Sequence, residues 1–224
     1  MQLPQKPLHL DLQPAATDSR PCVDNSSDEV IIVDPNDVPI GTAPKLEAHR
    51  SGLRHRAISV VIGDQRGRIL LHRRAAGKYH SGGLWTNTCC SHPRPGERAI
   101  DAAVRRLAEE MGIICPLSFI FSMNYRADVS NGLVEDEIVH VFGGHFSGTP
   151  TPNPLEVSDW CWTPFTEVER DVDERPEIYT LPQKSRRRWR PWSTMAWARS
   201  VSVPACQPDP RSPSAPPVAA CVRP

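Results

Sequence analysis

Three histidines, His49, His55 and His92, and two glutamates, Glu135 and Glu137, are the side chains of this sequence best suited to hold a cation. Glu135 and Glu137 stand at i and i+2 ahead of an apolar run, so an extended backbone points both carboxylates the same way. Imidazole and carboxylate together suit a divalent ion such as Mn2+, Zn2+ or Mg2+; solvated surface side chains are the alternative. The remaining histidines, His9, His72, His80, His140 and His145, carry no such pattern and are read as ordinary residues.

The stretch Trp85-Thr86-Asn87-Thr88-Cys89-Cys90-Ser91-His92-Pro93 is dense in functional side chains. A thiol there can be nucleophile, ligand or proton carrier if a cation or metal lowers its pKa, or it can be a buried inert group. A bridge between Cys89 and Cys90 is disfavoured, because adjacent Cα atoms lie about 3.8 Å apart and disulfides usually span about 4.4–6.8 Å. Arg73, Arg74 and Lys78 follow a predicted strand, and Arg105 and Arg106 lie on a predicted helix. Such groups are commonly a solvated face, but cations from two elements could also hold a diphosphate from two sides.

The elements that must position these groups are read from periodicity. Residues 30–33 form an apolar run, and Asp34-Pro35-Asn36-Asp37 supplies turn chemistry. Residues 57–62 and 68–72, separated by Gly63-Asp64-Gln65-Arg66-Gly67, read as a β-hairpin. Ile100, Val104, Leu107 and Met111 recur at helical spacing, which predicts a helix over 97–111 with that face inward, stopped by Gly112. Residues 117–121, 138–142 and 159–162 read as short strands. The order β-β-α-β-β predicts an α/β or α+β fold, a mixed sheet sandwiched by helices.

At 224 residues the chain is one domain with tails. Residues 1–28 are expected to be a disordered leader, 29–180 the domain, and 181–224 a Pro/Arg-rich, largely disordered tail. The tail opens on the basic cluster Lys184-Ser185-Arg186-Arg187-Arg188-Trp189-Arg190 and takes a large share of the 24 prolines. With 26 basic and 26 acidic side chains the formal charge is zero, which argues against a general nucleic-acid binder and makes any anion site local. No apolar run is long enough for a membrane span, and the first residues lack the apolar centre of a secretory signal. Seven irregularly spaced cysteines read as reduced thiols. The expectation is a soluble, cytoplasmic, monomeric protein.

Ser91 through Ile113 resembles the Nudix box, with Glu97, Arg105, Leu107, Glu109, Glu110, Gly112 and Ile113 in place. Ser91 replaces its first Gly, and Arg106 stands where the first Glu of its Arg-Glu pair is expected. Hydrolysis of a diphosphate needs clustered carboxylates to hold metal, whereas a cation in that cluster can grip a diphosphate that stays intact. Residues 30–180 resemble a type 1 isopentenyl-diphosphate isomerase, a Nudix-fold enzyme. The resemblance rests on Val38-Pro39-Ile40-Gly41-Thr42, Arg73-Arg74-Ala75, Trp85-Thr86-Asn87, Cys90-Ser91-His92-Pro93, Gly96-Glu97, Tyr125-Arg126-Ala127 and Gly132-Leu133-Val134-Glu135-Asp136-Glu137.

The resemblance implies that isopentenyl and dimethylallyl diphosphates are interconverted by protonation and deprotonation. It implies Cys90 and Glu137 as proton-transfer residues, and His49, His55, His92, Glu135 and Glu137 around one Mn2+ or Zn2+. It also implies Glu110 holding Mg2+, and Lys45, Arg74, Lys78, Arg106 and Tyr125 contacting substrate. A Trp stacking on the cationic intermediate is expected near the C-terminus; Trp192 is the candidate, with Trp189 and Trp197 competing. A Nudix diphosphohydrolase and a catalytically impaired prenyl-diphosphate-binding module are the alternative readings. The chain departs from the family in having one residue fewer between His49 and His55, Ser91 between Cys90 and His92, and Ser81-Gly82 in place of Trp-Pro.

Overall fold

The computed structural model describes residues 28–180. The expected leader apart from Asp28, the C-terminal tail, its basic cluster, His9 and Trp189, Trp192 and Trp197 lie outside the described residues. The elements in chain order are β1 (Glu29–Val33), β2 (Pro39–Pro44), α1 (Lys45–Ser51), β3 (His55–Gly63), β4 (Arg68–Arg74), β5 (Trp85–Thr86), β6 (Cys89–Ser91), α2 (Ala99–Met111), β7 (Leu117–Val129), β8 (Leu133–His145), β9 (Val157–Pro164) and α3 (Phe165–Glu174).

β3 is the central strand. It runs parallel to β8 from His55 beside Glu137 to Gly63 beside His145, and β7 pairs antiparallel with the far edge of β8. On its other edge β3 takes β6 antiparallel, with Ser59 opposite Cys90. Both faces of β3 are covered, which is why its sequence is nearly continuous in apolar residues. Ile58, Val60 and Ile62 pack with Leu107 and Met111 of α2, while Ala57 and Val61 pack with Val168 and Val172 of α3. The sheet is mixed and lies between helices, as expected from sequence.

The predicted hairpin over 57–72 is not one. Its turn forms, with Asp64 N–H donating to the Arg68 carbonyl, but β3 and β4 share a single residue pair, Gly63 and Ile69. Beyond it they part, β3 to β8 and β6, and β4 to β9 and β5. Two side chains take the backbone groups left between the diverging strands. The Thr88 hydroxyl accepts from Ile62 N–H at 2.9 Å and donates to the Leu70 carbonyl at 2.7 Å, and the Asn87 amide donates to the Val60 carbonyl at 2.8 Å. The Trp-Thr-Asn segment is thus wedged into a cleft between strands, with its unpaired backbone satisfied as burial requires.

The helix of 97–111 begins at Ala99 and ends as expected at Gly112, which takes the left-handed conformation (φ 63°). Its buried face differs from the predicted one: Val104 is 40% exposed, and Ala102, Ala103, Leu107 and Met111 form the contact. Two adjacent alanines let the helix approach the sheet closely, and the resulting rotation also brings Glu110 inward. α1 and α3 have no signature in the apolar spacing: each buries only a short stripe, Ala48 and His49 in α1, Val168 and Val172 in α3. The predicted strands at 117–121 and 138–142 are the ends of a long β7–β8 hairpin whose turn contains Asn131 at φ 66°. Glu135 and Glu137 lie on β8, two residues apart and therefore on one face.

Candidate active site

Four ligand-type side chains converge where α1, β3, β6 and β8 meet. His49, His55, His92 and Glu137 present one ligand atom each, all within 4.8 Å of one another. His55 opens β3 beside Glu137 on β8, and His92 follows β6, whose pairing with β3 sets its position. Between His49 and His55 the chain turns at Gly52, which ends α1 in the left-handed conformation at φ 58°. Ser91 has no positive φ, so its side chain costs no backbone strain there.

The imidazoles are oriented by their own backbone. His49 Nδ1 donates to the Lys45 carbonyl and His55 Nδ1 to the Leu53 carbonyl, each at 2.7 Å, which leaves both Nε2 atoms as lone-pair donors toward the centre. His49 Nε2 is buried and has no hydrogen-bond partner. His55 Nε2 and His92 Nε2 lie 3.2 Å apart, with Glu137 Oε1 at 3.4 Å and 3.1 Å from them. Burial alone would raise the Glu137 pKa; the His55 and His92 imidazoles facing it outweigh that and hold the carboxyl well below its usual range. Burial lowers the His49 pKa and pushes His92 down to about 3, keeping those rings neutral. These are the properties of divalent-ion ligands.

Glu135 falls into a neighbouring group rather than the first. Its ligand atom clusters with His49 and His80, with His80 Nε2 3.4 Å from Glu135 Oε1. Its other oxygen accepts from the Tyr125 hydroxyl at 2.6 Å. Burial raises the Glu135 pKa, and the neighbouring Glu137 charge adds to it.

Cys90 and Glu137 line one cleft that opens to solvent, together with Tyr125, Glu135, His92, Arg74, Lys78, Arg106 and Glu110. Asn87 is locked by its amide NH2, whose two N–H groups are shared among Ser59 Oγ, the Val60 carbonyl and the Cys89 carbonyl, at 3.0, 2.8 and 3.1 Å. Its Oδ1 therefore faces the Cys90 thiol and accepts from Sγ at 3.0 Å. Burial pushes the Cys90 pKa up to about 12, so the sulfur keeps its proton.

At the charged end, Arg106 donates to Glu110 at 2.6 Å, to Glu109 at 2.7 Å and to Glu156 at 3.3 Å. Lys78 pairs with Glu156 at 2.5 Å. Arg74 Nε is buried without a partner, a donor left over for an anion. Arg73 and Arg105 do not join them: Arg73 donates to the Gly83 carbonyl and Arg105 to Glu97. Lys45 lines an adjoining cavity that shares Ser91, His92 and Arg106 with the cleft, its ammonium 5.0 Å from the Tyr79 ring centre. Glu110 is in neither ligand-type group among the described residues. The residues that sequence reasoning missed are His80 and Glu156. Neither lies in a periodic segment, and Glu156 meets Lys78 across 78 positions, so only the fold joins them.

The family model of the NUDIX domain matches residues 53–182. An isopentenyl-diphosphate Delta-isomerase 2 of Aromatoleum aromaticum is 54% identical over 154 residues, covering 69% of this chain and 82% of that one. An isopentenyl-diphosphate Delta-isomerase of Pectobacterium atrosepticum is 49% identical over 152 residues, covering 68% and 85%. The chain belongs to the Nudix family, among the isopentenyl-diphosphate Delta-isomerases. Its fold is shared at 14% identity by a Deinococcus radiodurans protein of solved structure, with TM-score 0.59 over 72% of this chain and 98% of that one. Within this isomerase-family chain the Nudix helix is altered where it matters: Arg106 neutralises Glu109 and Glu110, the carboxylates that a metal-dependent diphosphate hydrolase would need free.

Proposed function

We infer that the protein interconverts isopentenyl diphosphate and dimethylallyl diphosphate by moving protons on and off the five-carbon chain. The observation that carries this reading is the presence of the Cys90 thiol and the Glu137 carboxylate in one cleft with Arg74, Lys78 and Arg106. Shifting the double bond adds a proton to the terminal alkene carbon, leaves a tertiary cation, and removes a proton two carbons away. One acid and one base on opposite sides of the chain meet that need, and in the reverse reaction they exchange roles. Cys90 and Glu137 flank β3 on its two edges, through β6 and β8, which supports their acting from opposite faces. Asn87 orients the thiol, and the Tyr125 ring offers an aromatic face to the cationic state.

Arg74, Lys78 and Arg106 grip the diphosphate, with Lys45 reaching it from the adjoining cavity. The buried, unpartnered His49 Nε2 fits a metal ligand, and His49, His55, His92 and Glu137, with Glu135 beside them, would hold a divalent ion there. Such an ion supplies fixed positive charge that orients Glu137 and sets its protonation state. Imidazole-rich donors suit Mn2+ or Zn2+, and Glu110, released when Arg106 turns to the diphosphate, would suit Mg2+. A mechanism needing a free thiol at Cys90 suits a reducing cytoplasm.

Isopentenyl diphosphate incubated with the full chain, with and without Mn2+ and Mg2+ after chelation, tests the reading. NMR should show dimethylallyl diphosphate formed only with metal, and Cys90→Ala should lower the rate by about 10²–10⁴-fold while the circular dichroism stays unchanged. Release of phosphate or pyrophosphate with no change in the double bond would overturn it.

A further inference from the structure

His80 is placed against the metal-type cluster although nothing in its sequence context asks for it. Its side chain is 8% exposed, its ring stacks on His49 with centroids 5.6 Å apart and planes at 30°, and its Nε2 lies 3.4 Å from Glu135 Oε1. Its loop is pinned to the β7–β8 turn: Asn131 donates to the Tyr79 carbonyl at 2.7 Å, and Ser81 N–H donates to Ser130 Oγ at 2.9 Å. Arg74 also holds the His80 carbonyl at 3.3 Å. The Ser81 hydroxyl sits 3.2 Å from His80 Nδ1 and can serve it as donor or acceptor, so Nε2 is the nitrogen available to a ligand.

The two ligand-type groups, His49-His55-His92-Glu137 and His49-His80-Glu135, share only His49. His49 has one nitrogen to offer, because Nδ1 is committed to the Lys45 carbonyl. One lone pair binds one ion, so the two groups cannot each hold an ion through His49. We propose that His80 is a ligand of the ion that His49 holds, completing with Glu135 a six-donor set of four imidazoles and two carboxylates around the unpartnered His49 Nε2. The proposal rests on the metal-dependent reading above and extends it. A nitrogen-rich set of this kind favours Mn2+, Co2+ or Zn2+ over Mg2+, whose preferred ligands are oxygens.

The full chain, stripped with chelator, is titrated with Mn2+ and Co2+ beside His80→Ala, His80→Gln and, as a control, His92→Ala. The expected result is about 10–100-fold weaker Mn2+ binding in both His80 variants. Pulsed EPR of bound Mn2+ should show one imidazole nitrogen fewer, and the weak visible absorption of six-coordinate Co2+ should change. Unaltered Mn2+ affinity and an unaltered Co2+ spectrum in both variants would overturn the role of His80. If the unmodified chain binds neither ion, or His92→Ala binds as tightly as it does, the metal centre itself fails and the proposal with it. Thermal unfolding under chelator separates loss of a ligand from loss of fold, and His80→Gln, which keeps a polar side chain of similar reach, guards against a cavity effect of Ala.

Discussion

Arg106 does two jobs with one guanidinium. In the free protein it compensates Glu110 and Glu156, whose side chains are 5% and 14% exposed, and in the proposed reaction it turns the same donors toward a diphosphate. Removing it strands buried carboxylates, so Arg106→Ala should cost about 3–5 kcal/mol in urea denaturation, beyond what a lost surface pair would cost. Adding Glu110→Gln should return part of that loss, because the uncompensated charge is then gone. Equal stability of Arg106→Ala and the unmodified chain would refute this account of the pair. Residues such as His49, His55, His92 and Glu137 are singled out in the sequence by their types and spacing, and the family resemblance implies the roles proposed for them. His80 had only its type, shared with surface histidines, and Glu156 sat in an Asn-Pro loop, so their roles needed the fold to bring distant segments together.

The elements follow the same division. A strand covered on both faces, β3, announces itself as an apolar run, but whether its neighbour in sequence is also its neighbour in space is decided by side chains far along the chain. The turn at Asp64 is local and legible: Oδ1 accepts from Arg66 and Arg68 N–H, each at 2.9 Å, and Oδ2 from Arg68 Nε at 2.7 Å. The parting of β3 and β4 is not local, because Thr88 and Asn87 supply the replacement hydrogen bonds. Burial would raise the Asp64 pKa; hydrogen bonds from Arg68 and Arg66 outweigh it and lower it. A carboxyl with a depressed folded pKa stabilises the fold above its unfolded pKa of about 3.9, and that contribution is lost as pH falls through the folded value. Asp64→Asn should therefore lose about 1–3 kcal/mol at neutral pH. The difference should shrink toward zero in thermal melts run at successively lower pH below 4. A gap that stays constant down that series would mean that charge is not what Asp64 contributes. α1 escaped detection for another reason: seven residues that bury only Ala48 and His49 leave too little pattern, although that helix carries a proposed ligand.

For the whole molecule, zero formal charge conceals strong local segregation. Arg74, Lys78 and Arg106 line the cleft beside a packed group of His49, His55, His80, His92, Glu135 and Glu137. Gathering four imidazoles and two carboxylates away from water gives up hydration that their mutual contacts only partly return, which is a standing cost to the fold. A ligand bound by the folded state alone offsets that cost in proportion to RT ln(1 + [L]/Kd), about 2.7 kcal/mol when the ion is at 100 times its Kd. For a domain of this size each kcal/mol moves Tm by roughly 2–4 °C, so saturating Mn2+ should raise Tm by about 5–11 °C over the chelated protein. The gain should follow the logarithm of Mn2+ concentration and be largely abolished in His92→Ala. Mg2+ at equal concentration should give a smaller rise, since oxygen-seeking Mg2+ gains little from the imidazoles. Calorimetry that found the same Tm with chelator and with Mn2+ would show that the folded chain holds no ion, and the cluster would then have to be stabilised by protons shared among its own side chains.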